Sequence, residues 1–170
     1  ETETGVCTMQ MDEGMDTGDV LLERKLVIKT DETTAELWDR LAEFGARTLI
    51  ETLENLEQIT PKVQKHDAAT HAPLITKGLG KIEWNQPSTT IHNLVRGCVS
   101  WPVAHSSLRG KTIKIWKTRV CCDGKKGQPG AVVSLRPFPC IATQDGCLEL
   151  HEIQMPSKRR ASADCLVNGF

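Results

Sequence analysis

Apolar and polar positions alternate loosely from Thr4 to Met11 and again from Val20 to Ile28, the period-two pattern of strands. Between them lies the polar, glycine-bearing stretch from Asp12 to Asp19, so the opening predicts a strand–loop–strand unit. The period then changes. Thr33 and Glu36 have capping-box spacing, which satisfies backbone donors at a helix start. Leu37, Leu41, Phe44, Leu49, Leu53 and Leu56 follow on roughly one helical face. Two strands and one helix cannot bury that face alone, so residues 1–60 read as the tail of a larger α/β domain. Residues 61–80 lose periodicity, carry Pro61 and Pro73, and predict a linker. Beyond it a short helix is expected near Ser88–Arg96. Strands are expected at Ala104–Leu108, Thr112–Val120, Ala131–Leu135, Cys140–Thr143 and Leu148–Ile153. Arg109-Gly110 and Asp145-Gly146 are placed to close hairpins, glycine permitting a positive φ. Thr112 to Lys117 alternates polar and apolar as a half-buried strand must. Short antiparallel strands packed into residues 81–170 predict a small OB-like β-barrel.

Composition adds little to this until it is divided along the chain. Of 170 residues, 39% are hydrophobic and 25% charged, a globular balance, and no stretch approaches the roughly 18 apolar residues of a membrane span. No basic-then-apolar leader follows Glu1, so no signal peptide is expected. The opening Glu1-Thr2-Glu3-Thr4-Gly5, without an initiator Met, reads as a segment of something longer. The formal net charge of −1 hides a polarity: residues 1–60 hold 5 basic against 15 acidic residues, residues 61–80 hold 3 against 1, and residues 81–170 hold 13 against 6. An acidic first part joined to a basic last part predicts two units with different partners. Basic residues recur at Arg109, Lys111, Lys114, Lys117, Arg119, Lys125, Lys126 and Lys158-Arg159-Arg160. Such a surface either attracts a polyanion, nucleic acid first among them, or is simply a solvated face.

The seven cysteines (Cys7, Cys98, Cys121, Cys122, Cys140, Cys147 and Cys165) are odd in number and show neither C-x-x-C nor zinc-finger spacing. Reduced, mostly buried thiols are expected, in a reducing compartment: the cytoplasm or an organelle matrix. A metal site assembled by folding from Cys121, Cys122, Cys140 and Cys147 has no support in their spacing, and no metal is expected. Trp84, Trp101 and Trp116 suit either core packing or base stacking. Asp16, inside Gly14-Met15-Asp16-Thr17-Gly18, is the carboxylate with the strongest case for chemistry. There it could orient an imidazole or a water; the competing reading is a turn-forming Asp bonded to its own backbone. A calcium loop is rejected, because Gly14 and Thr17 fall where an EF-hand needs a ligand and a glycine, and strands flank the loop. None of the five histidines forms a recognisable nucleophile arrangement, and no G-x-G-x-x-G or P-loop is present.

Several motifs go further. Glu3-Thr4-Gly5-Val6, Met9-Gln10-Met11-Asp12, Gly14 to Asp19, Thr76-Lys77 with Ile82-Glu83-Trp84, Trp101-Pro102, Leu108 to Trp116, Leu150 to Gln154, and Lys158-Arg159 with Ala163-Asp164 resemble, in order, the methionyl-tRNA formyltransferase family. The resemblance implies a Rossmann-like α/β remnant over 1–60, a linker over 61–80 and an OB-like tRNA-binding domain over 81–170. It implies formyl transfer from 10-formyltetrahydrofolate to the amino group of initiator methionyl-tRNA, without a metal. Asp16 matches the catalytic aspartate, and Met11, Glu13, Gly14 and Met15 match the folate pocket. Lys77, Arg96, Lys114, Lys117, Lys158 and Arg159 are the expected nucleic-acid contacts. A monomer is expected, with no membrane partner. The family's Asn-x-His and Ser-Leu-Leu-Pro elements do not occur in this sequence, so the chain alone is expected to be inactive. Ser100, Val103, His105, Gln144, Ser157 and Cys165 also depart from the family pattern, Gln144 and Ser157 standing where glycine is usual. A stand-alone nucleic-acid-binding module and a folate-dependent formyltransferase acting on a sugar nucleotide are the alternatives.

Overall fold

The structure is a computed structural model that describes residues 1–121 and 127–166. Cys122, Lys125 and Lys126, singled out above, lie outside the described residues. The chain divides into two compact units, Glu1–Leu74 and Ile75–Phe170.

In the first unit, β1 (Glu3–Met9) and β2 (Val20–Val27) pair antiparallel, from Glu3 opposite Val27 to Met9 opposite Val20. α1 (Thr34–Glu54) starts where the capping box predicts: Thr33 Oγ1 accepts from the Glu36 N–H at 3.3 Å, and the Glu36 carboxylate accepts from the Thr33 N–H at 2.8 Å. Its covered face runs through Leu37, Leu41, Phe44, Thr48 and Thr52. Thr52 bonds Thr8 of β1 at 2.8 Å, which seats the helix on the hairpin. Leu49, Leu53 and Leu56 belong elsewhere. They are exposed, together with Trp38 and Ile50. The helix is apolar over more of its circumference than one hairpin covers, and its phase is set by where the hairpin sits. The strands are antiparallel neighbours, not the parallel pair with a crossover helix from which a Rossmann-like unit is built. The stretch read as a linker is not structureless either. Val20 and Lys62 exchange two backbone hydrogen bonds of 2.9 Å, and the unit continues to Leu74.

The second unit holds α2 (Ser88–Gly97), β3 (His105–Leu108), β4 (Lys111–Cys121), β5 (Val132–Ser134), β6 (Cys140–Ala142), β7 (Cys147–Gln154) and β8 (Ala161–Ser162). The sheet is antiparallel in the order β3-β4-β7-β6-β5, with β8 on the free stretch of β7. Ile91 and Val95 of α2 pack with Ile113, Ile115, Leu148 and Ile153 to form the core. All five expected strands are present; β8 is additional. The expected barrel, however, is not closed among the described residues: β3 and β5 are edges that do not pair. A cavity of about 470 Å³ lies along both edges, lined by Ser106–Leu108 on one side and Val132–Leu135 on the other.

Local turns follow backbone rules. Arg109 (φ 49°) and Gly110 (φ 75°) form the two-residue hairpin loop between β3 and β4, the type I′ geometry that matches strand twist. α2 has no capping side chain of its own. Asp145, from the turn between β6 and β7, supplies one, accepting from the Ser88 N–H (2.8 Å), the Ser88 hydroxyl (2.9 Å) and the Thr143 hydroxyl (3.2 Å). Those donors, the Ser88 N–H foremost, hold its carboxyl below the usual range. Three of the departures noted above, Ser100, Val103 and Ser157, have positive φ (80°, 64° and 60°). Ser157 thus takes the conformation for which a glycine would serve without steric cost.

Candidate active site and basic surface

The loop between β1 and β2 is closed by its own sequence. At its neck the Gln10 N–H donates to the Asp19 carbonyl at 2.8 Å. Gly18 is buried against the Gln10 backbone, where a side chain would collide. Inside the loop Asp12 is the turn former: its Oδ1 accepts from the Gly14 N–H at 3.0 Å and from the Thr17 hydroxyl at 2.6 Å. The Thr17 hydroxyl first, then the Gly14 N–H, keep the Asp12 carboxyl below its ordinary value, with a smaller push from His66. Gln64 closes the loop from outside, its amide donating to the Asp16 carbonyl at 2.9 Å and the Gly18 carbonyl at 2.6 Å.

The backbone-bonding role belongs to Asp12. Asp16 sits at φ 56°, a left-handed position that Asp tolerates better than most residues. Its backbone carbonyl is anchored while its side chain is exposed, and no hydrogen bond engages its carboxylate among the described residues. Met11, Glu13, Gly14 and Met15 line the same loop and are exposed, Met11 at 81% and Met15 at 90%. The loop therefore holds a carboxylate beside two uncovered apolar side chains. Gln64 was missed in the sequence, since its two partners lie 46 and 48 residues away and no local pattern links them.

The basic residues divide by element. Lys114 and Lys117 both point outward from β4, and that is not what strict alternation dictates. Lys117 would share a face with Ile113 and Ile115, which are buried. A bulge intervenes: the register shifts between Ile115 and Lys117 and again between Lys117 and Thr118. The shifts leave Trp116 and His151 outside the ladder, so Thr118 is buried and Lys117 exposed. Lys158 and Arg159 line one cleft with Lys111. Gln154, the ladder partner of Lys114, donates to the Lys158 carbonyl at 3.0 Å, tying that turn to the strand. Arg96, near the end of α2, is held to Asn93 at 2.8 Å. Lys77 is exposed on the short turn Lys77–Gly80. The structure thus gathers Lys111, Lys114, Lys158 and Arg159 around β4 and the turn after β7, while Lys77 and Arg96 stand on other elements.

Two of the tryptophans are engaged by the protein. Trp84 donates to Ser106 at 2.9 Å and packs against the core. Trp116 lies under Arg160, whose guanidinium carbon is 4.8 Å from its ring centre. Trp101 is exposed. No helix among the described residues is long and apolar enough to cross a membrane.

Comparison with known proteins follows the two-unit division closely. Residues 1–53 match the formyl transferase family, and residues 74–170 match the formyl transferase C-terminal domain. The methionyl-tRNA formyltransferase of Solibacter usitatus is 44% identical, covering 99% of this chain and 55% of that protein. That of Desulfotalea psychrophila is 41% identical, covering 99% of this chain and 53% of its own length. The chain spans about half the length of these relatives. Among solved structures, HypX from Aquifex aeolicus in complex with tetrahydrofolic acid superposes with a TM-score of 0.71 at 26% identity, covering 99% of this chain and 30% of HypX.

Proposed function

Because the chain belongs to the formyl transferase family, we propose that it is part of a methionyl-tRNA formyltransferase. In this reading the enzyme passes a formyl group from 10-formyltetrahydrofolate to the α-amino group of methionine on initiator tRNA. The β1–β2 loop carries the catalytic carboxylate and part of the folate pocket, and the second unit carries the tRNA surface. The observation that carries the reading is Asp16 itself, a carboxylate released from turn-forming by Asp12 and pinned at its carbonyl by Gln64.

The chemistry follows from that placement. The amine nitrogen attacks the formyl carbon, the bond from that carbon to the folate nitrogen breaks, and the amine proton moves to the departing nitrogen. The Asp16 carboxylate orients the proton-carrying group and stabilises positive charge on it, and positioning supplies most of the barrier reduction. The uncovered side chains of Met11 and Met15, with the backbone through Glu13 and Gly14, suit the flat apolar face of a pterin. Lys77, Arg96, Lys114, Lys117, Lys158 and Arg159 contact tRNA phosphates, which position the acceptor arm without reading its sequence. We read the hairpin and helix as the end of a Rossmann-like catalytic domain. The open sheet is the counterpart of an OB-like barrel. Support for the first comes from Trp38, Leu49, Ile50 and Leu53, which the hairpin leaves uncovered. The isolated chain is inactive in this reading, because the family's acid/base histidine lies in sequence it does not contain.

The test is formylation by the complete enzyme carrying Asp16→Asn. The expected result is a loss of about 10²- to 10⁴-fold in kcat, with methionyl-tRNA binding unchanged. Activity within threefold of the parent overturns the assignment of Asp16. Preference for an amino-sugar nucleotide over methionyl-tRNA overturns the choice of acceptor in favour of the sugar-directed alternative.

A further inference from the structure

The cysteines whose spacing carries no metal signature are brought together by the sheet. β4, β7 and β6 are consecutive neighbours. Cys121 of β4 is directly opposite Cys147 of β7, and Cys140 of β6 is directly opposite Glu149 of β7. Residues 147 and 149 are two apart on one strand, and ladder partners share a face, so all four side chains project from the same side of the sheet. The inward residues of this stretch are Leu148 and Leu150, packed in the core on the other side. Cys121 Sγ lies 3.8 Å from Cys140 Sγ. One ligand atom each from Cys121, Cys140 and Glu149 fall within 4.8 Å of one another.

The spacing is informative. Two thiolates at the usual zinc–sulfur distance of about 2.3 Å, at a tetrahedral angle, are about 3.8 Å apart. A disulfide needs a sulfur–sulfur distance near 2.05 Å. We propose that Cys121, Cys140, Cys147 and Glu149 form a binding site for a soft divalent transition ion of the zinc class, clamping β4, β7 and β6 together. Three thiols lose their protons to solvent as the ion binds, and the carboxylate completes a tetrahedral set. His151 holds one Glu149 oxygen at 3.1 Å, the kind of outer hydrogen bond that fixes a ligand's orientation. Arg119, also a ladder partner of Glu149, puts a cation on the same face against the excess negative charge. Three ligand atoms lie together and Cys147, the ladder partner of Cys121, completes the set in this proposal, which leaves its role structural. It holds the sheet that presents Lys114 and Lys117, and it stands or falls independently of the assignment of Asp16.

The reduced, metal-free 170-residue chain is titrated first with Co²⁺ and then with Zn²⁺. The expected result is a thiolate-to-cobalt charge-transfer band that saturates at one equivalent, with the visible bands of a tetrahedral ion, and is displaced by one equivalent of Zn²⁺. Cys140→Ser and Cys147→Ser each weaken Co²⁺ binding at least tenfold. The near-isosteric Glu149→Gln keeps the thiolate band, alters the visible bands and weakens Zn²⁺ at least tenfold, which keeps the test informative should a cysteine variant fail to fold. Cys7→Ser with Cys165→Ser changes nothing. The absence of a saturable band at one equivalent overturns the proposal. So does a band that survives the Cys121→Ser, Cys140→Ser double variant.

Discussion

Replacing Gly18 by alanine tests whether the Asp16 loop is held by the close approach at its neck. No positive φ is at issue at this residue, so the added methyl acts through space alone. The new Cβ would overlap the Gln10 carbonyl oxygen, sit 2.9 Å from the Gln10 carbonyl carbon and 3.4 Å from Met11 Cα. All three are backbone atoms, so no side-chain rotation relieves the clash, and the two arms of the loop must separate. The neck bond from Gln10 N–H to the Asp19 carbonyl and the two Val20–Lys62 bonds lie within two residues of the displaced backbone. Overpacking of this kind costs about 1–3 kcal/mol. At about 1.4 kcal/mol per decade, that is roughly a 5- to 150-fold rise in local opening. The assay is native-state amide hydrogen exchange of the chain. Gln10, Val20 and Lys62 should lose protection by that factor in Gly18→Ala, while amides of the second unit are unchanged. In the complete enzyme the displacement should lower kcat, since an error of about 1 Å in a catalytic group costs on the order of 10²-fold. Exchange at Gln10 and Val20 within twofold of the parent would refute the reasoning, because the neck would then not depend on the absent Cβ.

Three further outcomes are expected. Leu148→Ala, at a fully buried position between α2 and the sheet, should destabilise the second unit by about 2–5 kcal/mol, read as a lower urea midpoint by tryptophan fluorescence. Asp145 has a folded-state pKa below its unfolded value, so its contribution is present above the unfolded pKa and is lost as pH falls through the folded one. Asp145→Asn should therefore lower stability at neutral pH and flatten its acid limb, measured as unfolding midpoints from pH 7 down to 3. In the complete enzyme, removing both Lys114 and Lys117 charges should weaken tRNA binding and reduce the log–log salt slope by about one unit for each phosphate no longer neutralised. An unchanged slope would detach these residues from the phosphates.

What the sequence made legible was local. The Thr33–Glu36 cap and the Arg109-Gly110 turn depend on neighbours within a few residues and are found as expected, whereas the alternation read over Thr112–Lys117 holds only as far as Ile115, where the bulge interrupts it. Leu49, Leu53 and Leu56 were misplaced because periodicity fixes the width of an apolar stripe but not which part of it a partner covers. Barrel closure depends on whether β3 and β5, more than twenty residues apart, meet as edges, and they do not pair. The turn chemistry of residues 12–18 left Asp16 open to bonding its own backbone, and in the fold it is Asp12 that makes such a bond, to the Gly14 N–H. Gln64 and the Glu149 contact of the thiols were invisible for one reason, that their partners are distant in sequence and meet only through the fold; the thiols themselves could be named together, but no spacing supported their meeting.

The bulge in β4 gives one strand two reading frames. Before the bulge the odd-numbered Ile113 and Ile115 are buried; from Thr118 onward, even-numbered residues turn inward, as Thr118 and Val120 show. Trp116 is the extra letter that joins the two frames. A chain lacking it would lose the stack under Arg160, yet simple alternation would still put Lys117 outside and Thr118 inside. Removing Arg119 instead has no such remedy. Val120 would be turned out to solvent and the Cys121 thiol carried to the opposite side, away from its neighbours. Tolerance to a change of length in this strand is therefore concentrated at a single residue, and a deletion only three positions later acts as a frameshift in three dimensions.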